Sequence, residues 1–162
     1  MSRLDSFIRR LEAQRACLEH VSEVLTDVEG CVFELGLGNG RTYDHLRALF
    51  PAREIFAFEI RLAAHPDCIP DDSHLFLGDF LDVLPTLASR FAAQVALVHA
   101  DCGSGRPQRD AAVSEGLSRL LAPFLAPGAI VLSDSALSIP STTMLAPPAS
   151  VPRGRYFISR KA

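Results

Sequence analysis

The amino-acid sequence predicts the α/β fold class, with a doubly wound, mostly parallel sheet, helices on both faces and an extra helix at the N-terminus. Three observations predict it. Short apolar runs alternate with helical stretches along the chain. The runs are continuous in apolar character, which is typical of parallel strands buried on both faces. A glycine-rich loop follows the first run, where such sheets bind ligands. We expect seven strands, or a slightly trimmed sheet.

Composition limits the classes of protein and partner. The 162 residues fit a single folding unit, in which residues 1–30 form a helical extension and residues 31–162 form the sheet domain. The net charge of -3 argues against a partner that is a nucleic-acid backbone. No apolar stretch approaches the ~20 residues of a membrane span, and the four scattered cysteines form no CxxC pair. We therefore expect a cytoplasmic protein with reduced thiols and neither nucleic acid nor membrane as a partner.

The first thirty residues are predicted to form one or two amphipathic helices that end near Gly30. Their apolar residues recur at three- and four-residue steps, which is the period of one helix face. These residues are Leu4, Phe7, Ile8, Leu11, Leu18, Val21 and Leu25. The pattern predicts a packing element or a lid over the site, and its apolar face favours a homo-oligomer.

The remaining chain is predicted to alternate strands and helices. Strands are expected at residues 31–35, 54–58, 74–77, 95–100 and 129–133, with a final strand at 155–159. Helices are expected at residues 42–50, 80–91 and 108–125, with Pro51 after the first and Pro127-Gly128 after the last. Between residues 61 and 73 no regular helix is expected, because Pro66 and Pro70 lack the N–H group that a helix interior needs.

The loop Glu34-Leu35-Gly36-Leu37-Gly38-Asn39-Gly40 leads from the first strand into a helix. Glycines allow a tight turn and close approach of a ligand, and the helix start offers free N–H groups. Dinucleotide-binding loops normally have the spacing GxGxxG. This loop instead begins with a carboxylate, which suits a cationic ammonium or sulfonium and fits poorly beside a pyrophosphate. It therefore favours S-adenosylmethionine over NAD as the cofactor of a Rossmann-like domain.

Further acids follow the next predicted strands: Glu59, Asp79 and Asp101. Because the carboxyl ends of parallel strands meet at one edge of the sheet, we expect these acids to share a rim. Glu59 could accept hydrogen bonds from both ribose hydroxyls, and Asp79 from the adenine amine, with Ile60 and Phe80 as apolar walls. Each acid alone is more simply a solvated or helix-capping carboxylate, so the prediction depends on the ordered set.

With these motifs the chain resembles the class I S-adenosylmethionine-dependent methyltransferases over about residues 31–134 and the last strand. The runs GLGNGRTYDHLR, HADCGSG and GRYFISRK also resemble a small bacterial subfamily of methyltransferase-like proteins. The resemblance implies that the loop wraps the methionine part of the cofactor, and that Asp101 approaches the methionine amine or the acceptor. The cofactor-binding residues that it implies are Glu34, Gly36, Leu37, Gly38, Asn39, Gly40, Arg41, Thr42, Glu59, Ile60, Gly78, Asp79, Phe80 and Asp101.

The chain also departs from the family pattern. Asp101-Cys102-Gly103-Ser104 replaces the Asn- or Asp-Pro-Pro-aromatic motif of base methylation, so adenine or cytosine is not expected as the acceptor. Residues 135–154 are few and proline-rich where the family has a helix and two longer strands. A reduced acceptor lid follows, so the N-terminal helices or a neighbouring subunit would cover the site. We expect a small-molecule acceptor.

Methyl transfer from a sulfonium needs positioning more than a dedicated catalytic residue. His99 and Asp101 are the candidate bases, and the alternative for His99 is a buried, hydrogen-bonded core residue. A catechol-type metal site would use Asp101 and Asp134, but Ser135 replaces the neighbouring amide, so no metal is expected.

Four hypotheses follow in order of preference. The first is a methyltransferase that uses S-adenosylmethionine, and the second is a non-catalytic module that binds this cofactor or a partner. An NAD-dependent oxidoreductase and an aminopropyl transferase are the remaining alternatives on the same scaffold.

Overall fold

A computed structural model describes residues 2–162 of the chain. The helices in this part are α1 (Arg3–Val24), α2 (Arg41–Leu49), α3 (Phe80–Leu87) and α4 (Pro107–Leu120), with a short 3-10 turn at Pro66–Cys68. The strands are β1 (Cys31–Leu35), β2 (Ile55–Glu59), β3 (Leu75–Leu77), β4 (Val95–Ala100), β5 (Leu125–Ser133), β6 (Thr142–Leu145) and β7 (Phe157–Lys161).

All seven strands join one sheet in the order β3-β2-β1-β4-β5-β7-β6. Strands β1 to β5 run parallel to one another, and β7 is antiparallel to both β5 and β6. The chain order reverses between β1 and β4, and ligands of open α/β sheets bind outside the carboxyl ends of strands at such a point. The prediction of a doubly wound, mostly parallel, Rossmann-like sheet of seven strands is confirmed.

The sheet has a hydrophobic core on each face. Because neighbouring residues of a strand point to opposite faces, Phe33 and Val32 of β1 belong to different cores. Phe33 lies in one cluster with Leu117 of α4, whereas Val32 lies in the other with Leu18 of α1 and Leu46 of α2. Strands buried in this way need apolar residues on both faces, which explains the continuous apolar runs in the sequence. The side chains of α1 thus form part of one of the two cores.

The N-terminal segment forms one continuous helix of 22 residues. It begins with a capping box, in which the Asp5 N–H donates to the Ser2 hydroxyl at 3.0 Å and the Ser2 N–H donates to the Asp5 carboxylate at 2.9 Å. It ends at Val24, well before Gly30. Residues 3–9 are exposed all round, so the first two turns of α1 lie beyond the core. Their exposed apolar side chains are Leu4, Phe7 and Ile8.

Several element boundaries differ from those expected. Helix α3 ends at Leu87 and α4 at Leu120, each about four residues early. Strand β5 begins at Leu125, because Leu125 pairs with Val95 ahead of a register shift in β4. Pro127-Gly128 therefore lies inside a strand instead of marking a turn before it.

Strand β6 was not predicted, and β7 is Phe157–Lys161, two residues later than expected. Strand β6 is at the edge of the sheet and pairs with β7 alone. An edge strand is covered on fewer sides, and Met144 of β6 is 56% exposed. Its sequence therefore has no continuous apolar run to signal a strand.

Among residues 2–162, no helix combines the length and the hydropathy that crossing a membrane requires. The cysteines Cys17, Cys31, Cys68 and Cys102 are all free thiols. Burial raises the pKa of Cys17 and of Cys31 to about 11, so both remain protonated at neutral pH. They behave as small apolar core residues.

Candidate active site

Residues 36–40 form the glycine loop, which joins β1 to α2 at the carboxyl end of the sheet. The N–H groups of Gly36 and Leu37 donate to the Phe58 carbonyl at 2.9 and 3.2 Å, which ties the loop to β2. Gly40 precedes α2 at a φ of +86°, a left-handed angle that glycine adopts without strain. Within the described chain, no side chain caps α2. Its first N–H groups are therefore available to a ligand.

Glu59 ends β2 and reaches back to the glycine loop. Its Oε2 accepts a hydrogen bond from the Gly38 N–H at 2.7 Å, and its Oε1 accepts one from the Ile60 N–H at 2.8 Å. A carboxylate has about four lone-pair sites, so these bonds leave acceptor capacity for further donors. The structure thus brings Glu59 and the glycine loop together, in the arrangement expected of a cofactor site.

Glu34 and His99 form a buried pair on the adjacent strands β1 and β4. Nδ1 of His99 lies 2.6 Å from Oε2 of Glu34, and the side chains of both residues are almost fully buried. Burial raises the pKa of the Glu34 carboxyl, and the His99 ring opposes this effect. Burial disfavours the charged imidazole, but the Glu34 carboxylate outweighs it and raises the pKa of His99. Because the two groups interact strongly, their titration is a property of the pair and not of either residue alone.

Asp101 follows β4 and accepts hydrogen bonds from three side chains that are distant in sequence. Nη2 of Arg10 lies 2.7 Å from both carboxylate oxygens. The Gln14 amide and the Tyr156 hydroxyl donate to Oδ2 at 2.8 and 3.0 Å. Burial by itself would raise the pKa of Asp101, but the hydrogen bonds and positive charge of Arg10 lower it below its usual range. Asp101 is therefore an anion, held by α1 and by the segment before β7.

Asp134 follows β5 and lies near Asp101 at the same end of the sheet. Its Oδ2 accepts a hydrogen bond from the Gly103 N–H at 2.8 Å. Burial, together with the negative charge of Asp101, raises the pKa of Asp134. Burial also raises the pKa of Cys102, whose Sγ donates to the Leu35 carbonyl at 3.1 Å. Within residues 2–162, no group of three or more His, Cys, Asp or Glu side chains is arranged to hold a metal ion.

Gly78, Asp79 and Phe80 lie where β3 ends and α3 begins. Asp79 is exposed and caps the helix, since its Oδ1 accepts a hydrogen bond from the Leu81 N–H at 3.0 Å. Phe80 is buried in the core beneath, and Ile60 after β2 is 51% exposed. The carboxyl ends of β2 and β3 therefore carry polar groups next to an apolar surface. Glu59 lies at the same end of the sheet.

A cleft of about 230 Å³ opens between α1 and the glycine loop. Among the predicted residues, its lining contains Glu34, Gly36, Leu37, Gly38, Asn39, Gly40, Arg41, Thr42 and Asp101. Helix α1 supplies the rest of the wall with Phe7, Arg10, Leu11 and Gln14. The ribose and adenine candidates lie outside this lining, around the ends of β2 and β3. His99 lies beneath it, covered by Glu34 and Gln14.

Three polar residues of the site were missed in the sequence: Arg10, Gln14 and Tyr156. Arg10 and Gln14 are four residues apart and therefore lie on one face of α1. That face is otherwise buried and apolar, with Ala13 and Cys17 beside them. A glutamine on such a face is a signal that could have identified a buried polar contact. No comparable sequence signal marks Tyr156.

Fold and site together define the class of this protein. The strand order and the glycine loop after β1 are those of a Rossmann-like domain, and the carboxylates at the strand ends are those expected of an S-adenosylmethionine site. The chain belongs to a family described as S-adenosyl-L-methionine methyltransferase, whose model matches residues 1–161. A crystal structure of an S-adenosyl-L-methionine methyl transferase from Silicibacter pomeroyi DSS-3 is 42% identical, covers 100% of this chain and 99% of that chain, and has a TM-score of 0.94. The predictions of enzyme class and cofactor are confirmed.

More distant structures share the fold. MycE methyltransferase of the mycinamycin biosynthetic pathway, in complex with Mg, SAH and mycinamycin VI, has a TM-score of 0.57 at 17% identity, over 94% of this chain and 48% of that chain. TrmN from Thermus thermophilus has a TM-score of 0.55 at 15% identity, over 93% of this chain and 52% of that chain. Among curated proteins, no sequence matches this chain.

Proposed function

We propose that this methyltransferase binds the amino-acid end of S-adenosylmethionine in the cleft between α1 and the glycine loop and acts on a small-molecule acceptor. The observation that supports the proposal is the presence of both signs of charge around this cleft of about 230 Å³. Glu34 and Asp101 supply negative charge, and Arg10 supplies positive charge. The amino-acid end of S-adenosylmethionine is a zwitterion with a nearby sulfonium, so it requires partners of both signs. The residues present therefore fit the cofactor.

In this proposal the acidic and the basic side chains bind different groups of the cofactor's amino-acid end. Glu34 and Asp101 bind its ammonium, and Arg10 binds its carboxylate. Nη2 of Arg10 is taken by Asp101, and within residues 2–162 no acceptor is found for Nη1 or Nε. These N–H groups, with those at the start of α2, are donors suited to a carboxylate. The loop residues Gly36, Leu37, Gly38, Asn39, Gly40, Arg41 and Thr42 would surround this part of the cofactor.

The nucleoside end would extend toward the neighbouring strands. Glu59 would accept hydrogen bonds from the ribose hydroxyls, since its carboxylate retains acceptor capacity beside Gly38. Asp79 has one oxygen engaged by its own helix, and the other is available to the adenine amine. Gly78, Phe80 and Ile60 would provide the surface on which the ring lies, with the exposed Ile60 contributing apolar area.

The chemistry asks little of the protein beyond positioning. When bound, S-adenosylmethionine supplies a methyl group that its positive sulfur already activates for an in-line displacement. The chain then orients this end of the site through Glu34, Arg10 and the glycine loop, and α1 shields it from water. Asp101 lines the cleft as an anion. Its lowered pKa and its hydrogen bonds from Arg10, Gln14 and Tyr156 suit it to binding the ammonium and not to taking a proton from an acceptor.

Two features favour a small acceptor. The net charge of -3 is unsuited to a phosphate backbone. The segment between β5 and β7 contributes β6 and no helix, so the chain provides little surface with which to embrace a macromolecule. MycE shows that the same fold accommodates a small-molecule partner, because it was solved with mycinamycin VI. A cytoplasmic location and pairing with a second copy through α1 remain predictions.

Calorimetry with S-adenosylhomocysteine and NAD tests the cofactor site. We expect S-adenosylhomocysteine to bind in the micromolar range, at about −7 to −8 kcal/mol, and NAD not to bind measurably. Radiolabelled methyl transfer to a panel of phenols, carboxylates and amines, with a tRNA and a denatured protein beside them, then tests the acceptor class. Transfer to the tRNA or protein alone would overturn the small-molecule proposal.

The alternative is a module that binds the cofactor without catalysis. The short segment between β5 and β7 favours it, because this segment gives the chain little of a lid for an acceptor. Tight binding of S-adenosylhomocysteine without methyl transfer to any member of the panel would support this alternative. Turnover of any acceptor above the buffer rate would exclude it.

A further inference from the structure

We propose that His99 is a positioning residue that acts through Glu34: its imidazole holds the Glu34 carboxylate ionised and aimed at the cofactor's ammonium. The inference rests on the proposed function in one respect, namely that Glu34 faces the cofactor. The role that it assigns to His99 differs from that of a general base, for which the sequence made His99 a candidate.

The contacts of His99 leave it no nitrogen for a substrate. Nδ1 lies 2.6 Å from Oε2 of Glu34, and Nε2 lies 3.5 Å from the amide nitrogen of Gln14. The residue has no exposed surface. A general base must come within about 3 Å of the proton that it removes, or act through one water. Both ring nitrogens of His99 instead face protein side chains.

The neighbouring hydrogen bonds assign the proton of the imidazole ring. The Gln14 amide nitrogen donates to Asp101 at 2.8 Å, which fixes the NH2 group, rather than the amide oxygen, on the side of Asp101 and His99. Nε2 of His99 therefore faces a donor and, in the neutral ring, acts as an acceptor. The ring proton then resides on Nδ1, where it is donated to Glu34. Helix α1, through Gln14, thus sets the tautomer that makes His99 a donor to β1.

Glu34 depends on this donor because it is buried. A buried carboxylate without a partner takes up a proton in preference to remaining charged, and burial does raise the pKa of Glu34. Within residues 2–162, His99 is the one donor found for the Glu34 side chain, and its bond to Oε2 leaves Oε1 without a partner. Glu34 also lines the cleft, so its free acceptor capacity faces the cofactor site.

Other charges around the pair make the His99 donor more necessary. Asp101 after β4 adds negative charge that further favours protonation of Glu34. Asp134 after β5 and Asp101 both raise the pKa of His99. Arg10 on α1 is the nearby cation, but both contacts of its Nη2 are to Asp101. The charge of Glu34 is therefore maintained chiefly by His99.

The test compares His99→Leu with His99→Asn, because the asparagine amide keeps an N–H donor close to the Nδ1 position. We measure S-adenosylhomocysteine affinity by calorimetry from about pH 6 to about pH 9. His99→Leu should weaken binding more than about tenfold near pH 7, with affinity recovering as the pH rises and Glu34 ionises. His99→Asn should remain within about threefold of the wild type. Ser159→Ala, at a buried polar site on β7, is the matched control.

Glu34→Gln provides a second variant should His99→Leu fail to fold. It should bind about as weakly as His99→Leu, without dependence on pH, and combining it with His99→Asn should add no further loss. The inference is overturned if His99→Leu binds like the wild type at every pH, or if His99→Asn is as weak as His99→Leu. Wild-type protein that fails to bind S-adenosylhomocysteine would instead refute the proposed function, so the two failures are distinguishable.

Discussion

Nη2 of Arg10 donates to both carboxylate oxygens of Asp101 at 2.7 Å, and this contact ties the N-terminal helix to the end of β4. The first two turns of α1 are exposed and lie beyond the core. Arg10 follows these turns, and its side chain is 41% exposed whereas that of Asp101 is 9% exposed. This ion pair thus forms part of the α1 wall of the cleft.

Replacing Arg10 by Met should weaken both cofactor binding and the fold. Met keeps the apolar length of the side chain but leaves Asp101 buried without its cation. We expect S-adenosylhomocysteine affinity to fall about tenfold, and the free energy of unfolding to fall by about 1–2 kcal/mol, a modest figure because Arg10 is partly exposed. Calorimetry and urea unfolding measure the two effects. Arg9→Met, at an exposed neighbouring position, should change neither; equal effects at the two positions would contradict the assignment.

The contributions of Asp101 and Asp134 to the stability of the fold should change with pH in opposite directions, because their pKa values are shifted in opposite directions. The pKa of Asp101 is lowered, so its stabilising contribution is present above 3.8 and is lost as the pH falls through its folded-state pKa. The pKa of Asp134 is raised, so its contribution is complete below 3.8 and is lost as the pH rises through its folded-state pKa. At neutral pH the first carboxylate therefore stabilises the fold and the second destabilises it.

The variants Asp101→Asn and Asp134→Asn test this opposition. Asn at 134 keeps an acceptor for the Gly103 N–H and removes the buried charge, so unfolding free energy at about pH 7.5 should rise by about 1 kcal/mol. Asp101→Asn should lower it at the same pH. At about pH 4 the difference for Asp134→Asn should shrink, because the raised pKa of Asp134 lets it take up a proton, whereas the difference for Asp101→Asn should persist, because the pKa of Asp101 lies below 3.8. Urea unfolding at the two pH values measures them. A loss of stability in both variants at neutral pH would show that the two carboxylates have the same role.

The central sheet could be predicted because its strands are buried on both faces. Residues 31–35 and 95–100 are apolar at almost every position, and Glu34 and His99 are the two exceptions that face each other across the β1–β4 pairing. The sequence shows each polar residue inside an apolar run, but the register that pairs them is set by the whole sheet. The edge strand β6 has no such run, so nothing local distinguishes it from a loop.

The candidate site likewise contains some residues that could be predicted from the sequence and others that could not. The glycine loop and Glu59 were predictable because their chemistry follows directly from strand ends. Arg10 and Tyr156 lie 91 and 55 residues from Asp101 in the sequence. Only the packing of α1 against the sheet and the pairing of β7 with β5 bring them to it. Contacts of this range have no local sequence signal, which explains why Asp101 was assigned to the site without its partners.

Two of the three glycines of the loop have different requirements: the packing of the fold requires Gly40, and the open cleft requires Gly38. A Cβ atom at Gly40 would overlap Cys68 and crowd Ala64, whereas one at Gly38 would meet no atom within 4 Å. Both have positive φ, +86° and +53°. Gly38 lies in the region that other residues also visit at modest cost. The two positions therefore provide a matched pair for substitution.

Gly40→Ala should destabilise the protein by about 2–3 kcal/mol, because strain adds to an overlap that the 3-10 turn at Cys68 must move to relieve. Gly38→Ala should cost about 1 kcal/mol, yet its methyl group would enter the open space of the cleft. We expect it to lower S-adenosylhomocysteine affinity more than about tenfold while the melting temperature falls by only a few degrees. Thermal unfolding and calorimetry on both variants measure these effects. If Gly38→Ala bound the cofactor normally, the glycine loop would not contact it there, and the assignment of residues 36–40 to the methionine end would have to be withdrawn.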